Sequence, residues 1–311
     1  MFARCTCRLV PTRGYMDYGG AERIDDIKAG QGLRSRAETI SAAASNSDRH
    51  AGTPMNTSSP ALTVRAVHGL PLFGPGDDLA SVIGEALAAG DPLQDGDVVV
   101  VAQKIVSKVE GRAVLLSEVT PGETARAAAA ASGKDAAVVE LIERESVELM
   151  RVRPGVVIAR HRLGHVLANA GIDASNVPAE AGETALLWPV DPDASARALR
   201  LALEGRFGVK LAVVVSDSLG RAWRLGTTGS AIGCSGLKPL RDRRGEHDLF
   251  GRVLQATLIG VADEIAGAAS LVMGEGDEGL PVAVVRGAIY DRDETAGVGA
   301  MLRPLDEDMF R

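Results

Sequence analysis

The chain has 311 residues, of which 46% are hydrophobic and 3% aromatic, and its formal net charge is −7. This length suggests about two domains, and the acidic balance argues against a general nucleic-acid or membrane-surface binder, because such proteins present basic faces. No apolar run reaches the ~18 residues that a membrane span needs. Three cysteines do not make a disulfide framework, which fits a reducing cytoplasm, and Cys234 is predicted to be a small core residue.

Residues 1–60 differ in composition from the rest of the chain. They mix scattered Arg with Ser, Asn, Thr and Gly, and their apolar positions show no period. Such a segment cannot bury enough apolar surface to offset the entropy lost on ordering. We therefore expect a disordered leader or an over-long gene start here, a folded domain of two interleaved lobes at residues 61–290, and a C-terminal tail at residues 291–311.

The folded part begins with alternating strand and helix patterns. Strands are predicted at residues 63–67 and 97–102, the second because DVVVVA is a short β-branched run. Between them a helix is predicted to run to Ala89, with Asp77 or Asp78 as its N-cap. The chemistry-bearing positions come directly after the second strand.

Three cations, Lys104, Lys108 and Arg112, lie within the ten residues that follow this strand. They could clamp a phosphate group, although composition alone favours an ordinary solvated turn.

The middle of the chain is predicted to be scaffold followed by a loop rich in oxygen ligands. Residues 120–148 have a helical, Ala-rich pattern, and residues 156–160 and 165–168 are predicted to form a hairpin. His161 and His165, which lack Cys or His partners at ligand spacing, are interpreted as surface or packing residues. In the loop that follows, Asp173 could bind a metal ion and Asn176 could hydrogen-bond a base or a phosphate.

The C-terminal part supplies further helices, a charged loop and a glycine-rich loop. Helices are predicted from Asp191 to about Glu204 and over residues 261–271, with a buried strand at residues 281–286. Residues 241–248 are interpreted as a solvated charged loop. The GEGDEGLP loop at residues 274–281 cannot be core, and its glycines allow close backbone approach to a ligand.

The stretch from residue 210 to 233 carries the strongest chemical signal. A buried strand, Leu211 to Val215, is predicted to stop at Ser216, which places Asp217 and Ser218 at the strand end. Their oxygens suit Mg²⁺ or Mn²⁺ held together with substrate phosphates. The alternative is that Asp217 merely caps the strand or turn. The sequence contains no Walker A motif, dinucleotide fingerprint or nucleophile elbow.

Taken together, five motifs resemble those of the coenzyme F420:L-glutamate ligase family, in which F420 denotes a deazaflavin. They are GLPL at 69–72, AQKIVSKVEGR at 102–112, NAGIDASNV at 169–177, VVSDSLGRAWRLGTTGSAIG at 214–233 and VADEIAGAASLVMGEGDEGLP at 261–281. The resemblance implies a family-specific α/β fold with α+β character, in which two lobes of buried sheets carry flanking helices. It is not a P-loop, Rossmann or ATP-grasp fold. The resemblance covers the ligase domain alone, without the nitroreductase-like domain that follows it in some relatives.

The activity implied is a GTP-dependent ligation in coenzyme F420 biosynthesis. L-glutamate would join the carboxylate of the phospholactyl deazaflavin F420-0 through an acyl phosphate. Two divalent cations, Mg²⁺ or Mn²⁺, would assist, with K⁺ as a further cation. The family resemblance also implies a cytoplasmic homodimer whose partners are small molecules, not nucleic acid or membrane.

The site residues implied by the resemblance fall into three groups. The catalytic residues would be Asp217 and Lys108, with Arg221 or Arg224 as further positive charge. The metal ligands would be Asp173, Asp217, Ser218 and Glu275. The GTP contacts would be Gly69, Leu70, Pro71, Leu72, Gln103, Lys104, Lys108, Asn176, Met273, Gly274, Glu275, Gly276, Asp277, Glu278, Gly279 and Leu280.

Two other functions are compatible with the same motifs. One is a GTP-dependent ligase or kinase that acts on another phosphorylated carboxylate. The other is a non-catalytic, nucleotide-binding dimer module, against which the presence of Asp173, Asp217 and Glu275 argues, because grouped carboxylates are costly.

Overall fold

A computed structural model of the chain describes residues 61–173 and 182–308; the predicted leader and Asn176 lie outside the described residues. The strands are β1 (Thr63–Ala66), β2 (Val98–Ala102), β3 (Ala113–Leu115), β4 (Ser146–Arg153), β5 (Val156–His161), β6 (Val166–Ala168), β7 (Thr184–Leu186), β8 (Ala212–Arg221), β9 (Arg224–Ser235), β10 (Leu240–Asp242), β11 (Leu258–Gly260) and β12 (Val282–Arg286). The helices are α1 (Leu79–Ala89), α2 (Gln103–Val109), α3 (Glu123–Ser132), α4 (Ala136–Arg144), α5 (Pro192–Phe207) and α6 (Val261–Met273). The predicted mixed α/β class is confirmed.

The largest sheet has the strand order β1-β12-β2-β8-β9. The pair β2–β8 is parallel, and the other neighbouring pairs of this sheet are antiparallel. A doubly wound dinucleotide-binding fold is instead mostly parallel. The sheet therefore agrees with the expectation that the fold is not of the Rossmann type.

Both faces of this sheet are buried, which explains the unbroken valine runs in its strands. Val99 and Val101 belong to the core cluster that includes the buried faces of α1 and α5. Val98 and Val100 belong to the cluster built with α6. Because successive side chains of a strand alternate between faces, the apolar run serves two helical layers at once. Cys234 is 1% exposed in the α6 layer, which confirms its predicted core role.

Helix ends follow the predicted capping signals. The Asp78 side chain accepts from the N–H of Ser81 at the start of α1, and Asp191 does the same for Ala194 at the start of α5. Each bond satisfies one of the backbone donors that a helix N-terminus leaves without an intrahelical partner. Within the described part of the chain, no helix combines the length and apolar content that crossing a bilayer requires.

Residues 113–173 and 182–186 form smaller sheets with a core of their own. β3 pairs with β7, and β4, β5 and β6 form an antiparallel sheet. Helices α3 and α4 pack on these strands. The predicted hairpin is confirmed as β5–β6. His161 and His165 are both buried, which confirms the packing alternative of their interpretation and excludes the surface alternative.

The prediction that the strand after Lys210 stops at Ser216 is wrong. β8 continues through Asp217 to Arg221 and pairs with β9 along this whole length. The apolar run ends at Val215 because the strand leaves the two-sided core there, while its backbone hydrogen bonds continue. A register shift between Val215 and Ser216 marks the transition, and such bulges re-aim side chains beside functional sites.

Two other boundaries differ from the prediction. Residues 103–109 form α2 and not a solvated turn, because Ile105 and Val106 bury their side chains in the main core. The helical pattern predicted to reach residue 148 ends at Arg144, and β4 begins at Ser146, where it pairs with β5. In the charged 241–248 segment, the first residues belong to β10, which pairs with β11.

Glycines in β9 allow the helices to approach the sheet closely. A Cβ built on Gly233 would lie 2.4 Å from the backbone carbon of Pro192 at the start of α5. A Cβ on Gly229 would lie 2.4 Å from the carbonyl oxygen of Ala266 in α6. Both distances are too short for non-bonded atoms, so only glycine fits at these two positions. The two glycines therefore set the spacing between the sheet and helices α5 and α6.

We predict that Gly233→Ala destabilises the fold by about 1–3 kcal/mol, because α5 must move away from β9. Urea denaturation should show the lower midpoint. Gly220→Ala is the matched control, since a Cβ there meets no heavy atom within 4 Å. Equal midpoints for the two variants would contradict the close packing of α5.

Candidate functional site

A cavity of about 610 Å³ lies where five segments of the chain meet. Its walls are the segment after β1, the start of α2, the middle of β8, Gly229 of β9, and the end of α6 with the residues that follow it. The predicted site residues that line it are Leu70, Pro71, Leu72, Gln103, Lys104, Lys108, Asp217, Ser218 and every residue from Met273 to Leu280. Gly69 and Asp173 are outside this lining.

Asp217 projects from β8, two residues after the register shift that separates core from cavity. Its Oδ1 accepts from the backbone N–H of Ser218 at 2.9 Å, and its Oδ2 accepts from Nε1 of Trp188 at 2.8 Å. Burial raises the pKa of the Asp217 carboxyl to about 6, although these two donors and the Lys104 ammonium act in the opposite direction. The side chain is therefore a fixed carboxylate in a poorly hydrated position.

Lys104 connects Asp173 to this centre. Its Nζ lies 2.7 Å from Oδ2 of Asp173, and its charge also favours the ionised form of Asp217. Asp173 is held by paired backbone hydrogen bonds with Leu186. The two carboxylates thus share the electrostatic influence of one ammonium group, even though Asp173 does not line the cavity.

Lys108 follows Lys104 by one helical turn, so both side chains emerge on the same face of α2. Burial lowers the pKa of Lys108, and repulsion from Lys104 lowers it further. At the base of the helix, Nε2 of Gln103 donates to the hydroxyl of Ser107 at 2.7 Å, and both residues are buried. The interior polar pair anchors α2 while its two lysines form a positive wall of the cavity.

The segment after α6 forms another wall of the cavity, and Gly274 to Gly279 are exposed. Gly274 and Gly279 have positive φ angles of 74° and 66°. The carboxylate of Glu278 accepts from the N–H of Gly276 at 2.8 Å, which closes a tight loop. Glu275 lines the cavity from this loop.

The proposed metal ligands are only partly assembled. Among residues 61–173 and 182–308, no group of three or more His, Cys, Asp and Glu side chains is placed to hold a metal ion. Asp217 and Ser218 are adjacent, and Asp173 is linked to them through Lys104. The set Asp173, Asp217, Ser218 and Glu275 therefore stays a prediction.

The sequence model of the family described as F420-0:Gamma-glutamyl ligase matches residues 69–287. This range contains every described segment that lines the cavity. The chain belongs to this family.

Curated relatives support the assignment. A coenzyme F420:L-glutamate ligase of Methanothermobacter thermautotrophicus is 45% identical over 252 residues, which cover 80% of this chain and 99% of the relative. Proteins of the same name from Archaeoglobus fulgidus and Methanopyrus kandleri are 44% and 43% identical and cover 80% and 76% of this chain. The aligned lengths are 96% and 92% of those relatives. Membership in the F420-0:gamma-glutamyl ligase family makes the chain a ligase of coenzyme F420 biosynthesis.

Sequence patterns do not predict several residues of this site. Ser270, Gly229 and Phe73 line the cavity, and Trp188 contacts Asp217 without lining it. A tryptophan in the apolar run ALLWPV looks like core, and Trp188 is indeed fully buried. The available signal was that a buried indole N–H needs an acceptor, which an apolar run does not provide.

A partly buried ion cluster centred on Glu145 is joined to the backbone of Trp188 by Arg112, which donates to both residues. Glu145 lies 2.9 Å from Arg112, 3.1 Å from Arg162 and 3.5 Å from Nε2 of His161. The N–H of Leu163 donates to Nδ1 of His161, which leaves the imidazole proton on the nitrogen facing Glu145. Burial by itself would raise the pKa of Glu145, but these three donors lower it to about 2.

We predict that Glu145→Gln lowers the free energy of unfolding at pH 7 by about 1–3 kcal/mol, because Arg112 and Arg162 lose a charged acceptor. The folded-state pKa of Glu145 is below its usual value of 4.5, so its contribution is present above pH 4.5 and is lost as the pH falls towards 2. Denaturant titrations at several pH values should show the difference from wild type shrinking over this window. Glu85→Gln, at an exposed position of α1, is the control. A difference that is independent of pH would contradict this account.

Proposed function

We propose that this chain is a GTP-dependent ligase that joins L-glutamate to the carboxylate of F420-0 through an acyl phosphate. The observation that carries the proposal is the convergence of Asp217, Lys104, Lys108 and the 273–280 segment on one cavity in a member of this family. The proposal includes a cytoplasmic, homodimeric enzyme with small-molecule substrates.

The cavity walls suit a nucleotide triphosphate. Lys104 and Lys108 bring two cations, one turn apart, to an otherwise acidic protein. The 273–280 segment offers glycine backbone that a phosphate or base can approach closely. Leu70, Pro71 and Leu72 supply an apolar wall for the base. A site of this kind orients a phosphoryl donor by positioning and charge, which is most of what phosphoryl transfer requires.

The side chains at this cavity are of the kind that a divalent cation binds, and such a cation takes only one or two protein carboxylates together with substrate phosphates. Each oxygen of Asp217 accepts one hydrogen bond, which leaves lone pairs available on the same carboxylate. Asp173 already binds a cationic group, the Lys104 ammonium, at 2.7 Å. Asp173, Asp217 and Ser218, with Glu275 from the segment after α6, would hold Mg²⁺ or Mn²⁺. Such a cation, with K⁺ as a further candidate, would neutralise phosphate charge in the transition state.

The absence of a nucleophilic side chain in the proposal follows from the chemistry. A carboxylate does not react with an amine at neutral pH, because hydroxide is a poor leaving group. Transfer of the terminal phosphoryl group of GTP would give GDP and an acyl phosphate, which the amine of glutamate attacks with release of phosphate. Lys108 and Lys104 would hold the developing negative charge during both steps.

We predict that the purified chain, incubated with GTP, Mn²⁺, L-glutamate and F420-0, increases the mass of the acceptor by one or more glutamyl residues. Mass spectrometry of the acceptor and glutamate-dependent GDP release measure this directly. GDP release with another phosphorylated carboxylate, but not with F420-0, would favour the alternative ligase. GTP binding without turnover of any acceptor would favour a non-catalytic nucleotide-binding module.

We predict that Asp217→Asn lowers kcat by at least about 10²–10³-fold while the melting temperature stays near that of wild type, because a charged ligand becomes a neutral isostere in the cavity. Asp242→Asn is the matched control, since Asp242 is at the end of β10 and forms an exposed ion pair with Arg244. Turnover of Asp217→Asn at the wild-type rate, with saturating metal and substrates, would remove Asp217 from the site.

A further inference from the structure

Trp188 is the one residue outside the cavity lining that donates a hydrogen bond to the Asp217 side chain in the described part of the chain. Its indole is fully buried, and Nε1 lies 2.8 Å from Oδ2 of Asp217. An indole N–H can only donate, so this bond has a fixed direction. The other oxygen of the carboxylate is held by the backbone of Ser218. The two donors together define the plane of the carboxylate.

The indole itself cannot turn. The ring of His161 lies 4.9 Å from it at 49°, and the ring of His165 lies 5.4 Å from it at 85°. A Cβ built on Gly171 would lie 2.3 Å from indole atoms Cε2 and Nε1. Gly171 is therefore required for the indole to occupy this place, and its φ of +72° independently favours glycine.

The backbone around Trp188 joins the two carboxylates of the site. Its carbonyl accepts from Nε of Arg112 at 2.8 Å, and the preceding residue, Leu187, donates to the carbonyl of Arg112 at 3.1 Å. One residue earlier, Leu186 exchanges backbone hydrogen bonds with Asp173. A single extended segment thus holds Asp173 through its backbone and Asp217 through its side chain.

The backbone turn that precedes Asp173 is conformationally strained. Asn169 and Ala170, which are not glycines, have φ angles of +54° and +50° and precede Gly171. Left-handed conformations at such residues are uncommon and persist where the surrounding structure enforces them. Here the same turn makes room for the indole and leads the chain to Asp173.

We propose that Trp188 is a positioning residue that orients the Asp217 carboxylate, through its indole N–H, for the divalent cation of the reaction. This proposal rests on the proposed function, since it assigns the cation to Asp217. The carboxylate torsion of aspartate is broad, so a donor at a fixed place selects one orientation of its oxygens. Partners that orient a metal ligand in this way contribute about 10–100-fold to metal affinity or activity.

The first test replaces each of the two tryptophans of the chain by phenylalanine. Trp188→Phe keeps an aromatic ring between His161 and His165 and removes the N–H, whereas Trp223→Phe changes a side chain that is 88% exposed. We expect the dissociation constant for Mn²⁺ alone, measured by EPR of the free ion, to rise about 10–100-fold in Trp188→Phe. We also expect kcat to fall with it and the melting temperature to stay near that of wild type. Trp223→Phe should match wild type in all three measurements.

A second test covers the case in which Trp188→Phe does not fold. In Trp223→Phe, the indole N–H signal of Trp188 is the single indole resonance in a ¹H–¹⁵N spectrum. We expect this resonance to shift when Asp217→Asn is added, and to shift on addition of Mg²⁺ alone in Trp223→Phe but not in the double variant.

Two results would overturn the positioning role. They are wild-type Mn²⁺ affinity in folded Trp188→Phe, and an indole resonance that senses neither Asp217→Asn nor Mg²⁺. Both experiments use the metal ion alone. A failure of glutamate ligation in the wild-type protein would therefore overturn the proposed function. The metal-affinity and indole-resonance results would still test the positioning role of Trp188 independently.

Discussion

The hydrogen bond from Trp188 to Asp217 joins the interior of the protein to its candidate site. Asp217 lies on β8. The first half of this strand is buried on both faces, and its second half forms one strand of a hairpin with β9. A carboxylate at this transition is poorly hydrated, and burial raises its pKa. The indole N–H and the Ser218 amide compensate part of this cost and give the carboxylate one orientation. The cavity is organised around this fixed acceptor.

Local charge in the cavity differs in sign from the charge of the whole chain. The protein has a formal net charge of −7, yet Lys104 and Lys108 stand together on one face of α2. This face is partly removed from water, and this burial lowers the pKa of Lys108. Charges in such a setting interact more strongly than they would in bulk water. The arrangement suits an anionic phosphate chain between the lysines and the glycine-rich segment.

The predictions made from periodicity were accurate where a single local rule decides the structure. The Asp78 and Asp191 caps, the β5–β6 hairpin, α6 and the valine-rich strands all follow from spacing and side-chain type. Errors arose where a tertiary partner decides. The lysine-rich composition of residues 103–109 favours a solvated turn, whereas burial of Ile105 and Val106 makes this segment helix α2. β8 was predicted to end where its apolar run ends, but β9 extends the pairing to Arg221.

The sequence by itself determined the family, the class of fold and most of the segments that meet at the cavity, because motif residues and helix and strand periods are local properties. The tertiary structure alone decided which of those residues share one environment. It brought Lys104 to Asp173 and placed the indole of Trp188 against Asp217, across separations of 69 and 29 positions along the chain. Such contacts depend on how layers pack and on where a glycine such as Gly171 leaves room for a ring. No local pattern encodes that geometry. The sequence indicates that an indole in an apolar run needs an acceptor for its N–H, but it does not identify that acceptor as Asp217.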